Sequence, residues 1–237
     1  MKILAIGDIH GRSCWEKIVD QNFDIVVFIG DYLDTYDDNI TPRNQVDNLK
    51  NIIDFKLKFP EKVKLIVGNH DYHYMRGIND HYAGFQLGIK FDVEEILHNN
   101  KDLFQSCFIY DKYCFTHAGI TNTWLKTVKE WFIDNGLESN GLENTVNLLF
   151  EFKPTMFKFT SGEYFDQHGN EVTQTPFWIR PEALIKDRIL NYFHVIGHTP
   201  GDPEIISFVD GGIIKIDCLE SGYYLEIDNG SPIFKKW

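Results

Sequence analysis

Lys2-Ile3-Leu4-Ala5-Ile6-Gly7-Asp8-Ile9-His10-Gly11 is the stretch on which the reading of this chain turns. A short apolar run stops at a glycine and gives way at once to an acid and a histidine. Such a run reads as a strand buried on both faces. In an open α/β sheet, groups just past the carboxyl ends of the strands converge on one crevice. The same grammar recurs along the chain. Ile25 to Ile29 stops at Gly30-Asp31-Tyr32-Leu33-Asp34, and Val63 to Val67 stops at Gly68-Asn69-His70-Asp71. Tyr113 to Thr116 runs into His117-Ala118-Gly119, and His194 to Ile196 stops at Gly197-His198-Thr199-Pro200.

Helical character fills the spaces between these runs. From Val46 to Phe59, the apolar residues Val46, Leu49, Ile52, Ile53 and Leu57 are spaced by three and four, which predicts an amphipathic helix. Alternation of strand and helix predicts an α/β domain. Cys107 to Tyr110 and Tyr113 to Thr116 read as a hairpin turning at Asp111 and Lys112. Ile213 to Ile216 and Tyr223 to Ile227, separated by Glu220, Ser221 and Gly222, predict a closing antiparallel hairpin. The sections from about 76 to 100 and 123 to 177 carry no ligand motif and are rich in aromatic residues, with helices expected around Trp124 to Phe132 and Leu142 to Phe150. They read as inserts that wall a cleft within a single domain spanning 1–237.

The chain has 237 residues, of which 43% are hydrophobic and 24% charged, as expected of a globular domain and not of a disordered or membrane protein. A net charge of −12 argues against a broad basic face for nucleic acid. Bound metal can still reverse the field inside one cleft, so a short phosphorylated substrate stays open. Cys14, Cys107, Cys114 and Cys218 contain no CxxC pair, and no apolar signal segment precedes the first strand. The expectation is a reduced, cytoplasmic chain with free thiols, although Cys107 and Cys114 could face each other across their hairpin. No apolar run approaches the ~20 residues of a membrane helix.

Each polar cluster contains residue types that bind metal ions. Carboxylate oxygens together with imidazole nitrogens suit manganese, iron or zinc, whereas an all-oxygen set would suggest magnesium or calcium. Asp8 and His10 lie two apart and would share a face of an extended segment, serving one ion. Asp31, at the next strand end, is the natural bridge, and Asn69, His117 and His198 would complete a second ion. Taken singly, an Asp-x-His or a lone histidine is commonplace. Joint occurrence of the clusters, in order and each behind a strand, carries the reading. His73, His81, His98, His168 and His194 match no cluster and read as non-ligands, with His73 and His81 near enough to the third cluster to reach the cleft.

Asp-x-His, then Gly-Asp-x-x-Asp, then Gly-Asn-His-Asp, then a lone His, then Gly-His closely resembles the calcineurin-like metallophosphoesterase superfamily, from residue 7 to residue 199. The resemblance implies a double-sheet β-sandwich flanked by helices. Within the superfamily, the phosphoprotein phosphatase branch is nearest, because Asp34 follows Asp31 by three as in that branch. A departure follows directly: Thr35 and Tyr36 stand where the branch carries Arg and Gly, so one phosphate-clamping arginine is missing. The segment Pro176 to Pro181 resembles the source of the second clamp, which makes Arg180 the candidate. Arg12 is the best replacement for the missing one, ahead of Arg43 and Arg76.

The implied chemistry is hydrolysis of a phosphate monoester by a hydroxide bridging two divalent metal ions, with the metals and Arg180 stabilising the phosphoryl oxygens. In the family, the histidine after the asparagine ligand protonates the leaving oxygen while the second acid orients its ring, here His70 and Asp34. The expected substrate is a phosphoprotein. A nucleotide-directed hydrolase, acting on a dinucleoside polyphosphate or a terminal nucleic-acid phosphate, is the alternative, since the aromatic residues could stack a base. A catalytically silent scaffold is the third reading, and retention of every ligand speaks against it.

Overall fold

The first strand sets the frame. In the computed structural model, which describes residues 1–201 and 212–237, β1 (Lys2–Ile6) lies between two neighbours. Its side chains are buried on both sides, Ile3 and Ala5 toward one core, Leu4 and Ile6 toward another. Such two-sided burial explains why the run is continuously apolar and not alternating.

β1 pairs in parallel with β2 (Ile25–Phe28), which pairs with β3 (Val63–Ile66), which pairs with the short β4 (Phe104–Gln105). A second, four-stranded sheet has the order β5 (Phe108–Tyr110), β6 (Tyr113–Phe115), β7 (Phe193–Pro200), β8 (Ile213–Asp217), with β6, β7 and β8 parallel. β5 and β6 form the expected hairpin. Inside it Cys107 and Cys114 face each other with Sγ atoms 3.8 Å apart, both free thiols.

The closing hairpin expected from 213 to 227 does not form. β8 pairs with β7, whereas β9 (Tyr223–Asp228) crosses to the first sheet, where it runs antiparallel to β1 and to β10 (Ser231–Lys236). The first sheet therefore reads β10-β9-β1-β2-β3-β4. Pairing with β1 buries Leu225 and Ile227 against Ile3 and Ala5 between the sheets, a burial that a hairpin with β8 would forfeit.

Four layers result, as the resemblance implied. Val27, Ile29 and Ile66 of one sheet meet Phe115, Val195, Ile214 and Ile216 of the other. Outside the first sheet lie α1 (Trp15–Ile18), α2 (Pro42–Lys58) and, after the short α3 (Asn69–Tyr72), α4 (Lys90–Asn99). In α2, Val46, Leu49, Ile52 and Ile53 form the buried stripe, and a capping box between Thr41 and Asn44 with Pro42 at the first turn fixes its start. Outside the second sheet lie α5 (Asn122–Asp134), α6 (Leu142–Phe152) and α7 (Pro181–Asp187). Trp124, Val128, Phe132, Val146 and Leu149 pack there around Phe157 and Phe177. The aromatic content of 123–177 is thus largely core. No helix among the described residues is long and apolar enough to cross a membrane.

Candidate metal centre and active site

Parallel strands aim their ends at one place. Asp8 follows β1, Asp31 follows β2, Asn69 opens α3 after β3, His117 follows β6, and His198 lies in the irregular part of β7, where the pairing with β8 shifts register between Ile196 and Pro200. Asp8, His10, Asp31, Asn69 and His198 line one cleft of about 820 Å³, and buried His117 stands against Asn69 and Asp31 of that lining. All six predicted ligands are therefore brought together from positions almost two hundred residues apart.

Asp31 sits centrally. Its Oδ2 lies 3.4 Å from His117 Nε2 and 3.9 Å from His10 Nε2. Asp8, His10 and Asp31 can offer ligand atoms within 4.8 Å of one another. Asn69 Oδ1 lies 2.8 Å from both His117 Nε2 and His198 Nδ1. Asp31 thus lies between two groups of donors, Asp8 with His10 and Asn69 with His117 and His198.

Ring nitrogen Nδ1 of His117 donates to the Ile29 carbonyl at 2.9 Å, and Nδ1 of His10 donates to the Leu33 carbonyl at 2.8 Å. Burial lowers the pKa of both rings, so each is neutral with its Nε2 lone pair facing the Asp31 carboxylate. Lone pairs pointed at a carboxylate repel unless a cation lies between them. A carbonyl that orients the ring through its other nitrogen is also the usual support of a metal-binding histidine. Buried His198 Nε2 has no partner among the described residues. Burial, with Asp217 and Asp31 nearby, pushes Asp8 well above the ordinary carboxylate range. The donor set fits divalent metal.

The backbone is shaped to the same end. His10, Asp31, Asp34 and His198 adopt left-handed φ values of 44°, 51°, 60° and 61°. Each such residue costs on the order of 1–3 kcal/mol, and such strain collects at functional sites. Two glycines admit the carboxylates: a Cβ on Gly68 would stand 2.2 Å from Asp31 Oδ1, and one on Gly197 would stand 1.9 Å from Asp8 Oδ1. Asp71, quoted in the third cluster but given no role from sequence, accepts from the backbone N–H groups of Asp31, Tyr32 and Gly68 at 2.8 to 2.9 Å and so ties the second loop to the third.

Beside the metal ligands, His70 Nδ1 lies 3.1 Å from Asp34 Oδ2. Burial pulls the His70 pKa down, but the Asp31 charge and the bond to Asp34 outweigh it and lift it to about 9. Asp34 has further partners. His73 Nε2 meets the same oxygen at 2.6 Å, while Tyr74 Oη and Gln86 Nε2 donate to Oδ1 at 2.7 and 3.2 Å. His73 was a non-ligand from sequence; its place behind Asp34 is a role that only the fold could reveal. Asp217, at the end of β8, also lines the cleft, and burial with the Asp31 charge raises its pKa to about 6.

Both candidate arginines reach the cleft lining. Arg180 donates to the carbonyls of His168 and His198 and to Thr199 Oγ1, at 2.9 to 3.1 Å. Arg12 is paired with Glu220 at 2.9 Å. Arg43 and Arg76 are paired on the surface with Asp47 and Glu94 and are not among the residues lining the cleft.

The calcineurin-like phosphoesterase family matches residues 1–208. The chain belongs to that family. Among curated relatives, a probable serine/threonine-protein phosphatase of Encephalitozoon cuniculi is 25% identical over 193 residues, covering 78% of this chain and 35% of the relative. The chain thus spans about a third of that relative's length. A protein serine/threonine phosphatase of Saccharomyces cerevisiae superimposes with a TM-score of 0.58 at 13% identity, covering 100% of this chain and 79% of that one. A cold-active protein-tyrosine phosphatase of a psychrophilic Shewanella superimposes with a TM-score of 0.54 at 17% identity, covering 99% and 77%. Those two likenesses speak to the calcineurin-like fold, the double-sheet sandwich flanked by helices.

Proposed function

We propose that this chain is a dinuclear metal-dependent phosphomonoesterase whose favoured substrate is a phosphoprotein. The observation that carries the reading is the setting of two imidazoles, His10 and His117, each with Nδ1 on a backbone carbonyl and Nε2 turned toward Asp31. Asp8, His10 and Asp31 would hold one ion, and Asp31, Asn69, His117 and His198 the other. Manganese suits this mixture of oxygen and nitrogen donors best, with iron or zinc next. Bound there, the ions would supply the activated water and the positive charge that transfer of a phosphoryl group to water requires.

The chain's own groups do the rest. Asp34, held by His73, Tyr74 and Gln86, fixes the ring of His70 through Nδ1. His70 Nε2 is thereby the atom that delivers a proton to the leaving oxygen. Arg180, which lines the cleft and is anchored there to three oxygens, would bind phosphoryl oxygens. Arg12 is a weaker candidate for that task, because Glu220 already neutralises it. Free thiols at all four cysteines suit a reduced, cytoplasmic setting.

Elemental analysis of purified protein combined with hydrolysis of p-nitrophenyl phosphate, before and after chelation, tests the reading. The expected result is close to two metal ions per chain and activity that chelation removes and manganese restores. Protein that binds manganese and hydrolyses nothing would favour the scaffold.

A further inference from the structure

We propose that Tyr36 makes this cleft selective for aryl phosphate monoesters, a phosphotyrosyl group in a protein, over the alkyl phosphates of serine and threonine. The proposal rests on the phosphomonoesterase reading and names its substrate class.

The chain departs from the phosphoprotein phosphatase pattern at one place, and the structure puts that place at the mouth of the cleft. Thr35 is half-buried, its backbone N–H donating to Gln45 Oε1 at 3.3 Å and its Oγ1 accepting the backbone N–H of Asp37 at 3.1 Å. Tyr36 stands outward with 74% of its surface exposed, yet lines the cleft. Its ring centroid is 6.4 Å from that of His10 and 6.4 Å from that of His70, the latter edge-on at 89°. A position where a cation would grip phosphoryl oxygens is thus lost, and an aromatic face stands beside the imidazole that serves the leaving oxygen. Elsewhere the lining is aromatic too: Tyr82 and Trp178 lie 4.3 Å apart, with Trp178 6.0 Å from His198.

Loss and gain favour the same substrate. In hydrolysis the water oxygen bonds to phosphorus, the ester P–O bond breaks, its electron pair stays on the leaving oxygen, and that oxygen takes a proton. A phenolic oxygen, with a pKa of ~10, bears the charge far better than an alkoxide. An aryl ester therefore depends less on the missing clamp. Its ring can also pack against Tyr36 as a serine side chain cannot. A nucleotide carrying further phosphates is disfavoured by Asp37 and Asp38, acids that line the same cleft.

One peptide made in phosphotyrosine, phosphoserine and phosphothreonine forms, together with adenosine monophosphate, separates the outcomes when assayed with manganese-loaded wild type, Tyr36→Ala and Tyr36→Phe. Wild type is expected to favour the phosphotyrosyl peptide by about tenfold in kcat/KM. Y36A should lower that figure about fivefold, mainly through KM, and Y36F should keep it. Calorimetry with the same peptide carrying a non-hydrolysable phosphonomethyl-phenylalanine should give binding about fivefold weaker in Y36A. Equal rates on phosphoserine and phosphotyrosine, a preference for the nucleotide, or equal loss on every substrate in Y36A would overturn the proposal alone. A wild type that binds metal but leaves all four compounds intact would overturn the phosphomonoesterase reading and this proposal with it.

Discussion

His73 Nε2 lies 2.6 Å from Asp34 Oδ2, a shorter contact than the 3.1 Å from His70 Nδ1 to the same oxygen. His73 is buried, and its Nδ1 accepts the backbone N–H of Tyr82 at 3.4 Å. That bond fixes the proton on Nε2, so His73 donates to Asp34. Burial would raise the pKa of Asp34, but hydrogen bonds from His70, His73 and Tyr74 hold it below the ordinary carboxylate range. The acid that orients His70 is therefore held from behind by residues of the segment after α3. His73→Asn removes this support without touching a metal ligand. The expected loss is about tenfold in kcat, a fraction of the 10²–10⁴ that a general acid contributes. It should deepen as the leaving group becomes more basic across a series of aryl and alkyl phosphates, with metal content unchanged. An equal loss across the series would mean that His73 serves only the fold.

Variants at the site should divide into two kinds. Asn69→Ala and His117→Ala remove donors that converge near Asp31 and are expected to lower bound metal together with rate. His70→Asn should leave metal in place and lower the rate most for poor leaving groups. Elemental analysis beside steady-state kinetics checks this, and the same metal loss in all three proteins would refute the division.

Metal should also stabilise the fold. Asp8 and Asp71 are buried and pushed up by burial and by neighbouring carboxylates, Asp31 among them, so the crowded acids repel until a cation joins them. A ligand that binds only the folded state adds about 2.7 kcal/mol at a hundredfold excess over Kd. Thermal melts with chelator and with manganese should differ by several degrees, and the difference should vanish in Asp31→Asn.

What the sequence disclosed and what it hid follow a physical line. The ligand clusters were legible because strand, glycine and ligand are local neighbours, and parallel strands do the gathering. The double-sheet sandwich was legible only through family resemblance, because neither composition nor spacing says which sheet a strand joins. β8 and β9 show this: both have strand character and a turn between them, yet β9 finds β1 more than two hundred residues away. β10 escaped because Ser-Pro-Ile-Phe-Lys-Lys at a sheet edge has little apolar signal. Asp217 ends a parallel strand like the other acids, but no glycine precedes it to mark the stop. His73 was hidden most deeply, since its partner is 39 positions upstream.

Gly197→Ala should damage the site through sterics alone. The added Cβ would lie 1.9 Å from Asp8 Oδ1, so either the carboxylate or the β7 backbone must move. Overpacking of this kind costs on the order of 1–3 kcal/mol. Lower metal occupancy, a lower melting temperature, or both are expected, with secondary structure retained by circular dichroism. Wild-type values of both would show that the approach of Gly197 to Asp8 is not needed.

His194 provides a pH dependence separate from the metal ligands. It is buried in β7, with Nε2 donating to the Ile189 carbonyl at 3.2 Å and Nδ1 without a partner among the described residues. Burial outweighs that hydrogen bond, and its pKa falls from 6.5 to about 4. Between pH 6.5 and 4 the unfolded chain protonates this histidine while the folded chain does not, so acid favours unfolding. The stability at stake is complete above pH 6.5, declines as pH falls, and is gone near pH 4, amounting to about 3 kcal/mol. His194→Gln removes the titrating group. Urea unfolding of both proteins from pH 7.5 to 4 should give difference curves that converge as the pH falls, the wild type losing more stability than the variant. Parallel curves would mean that His194 takes up its proton in the folded state as readily as in the unfolded one.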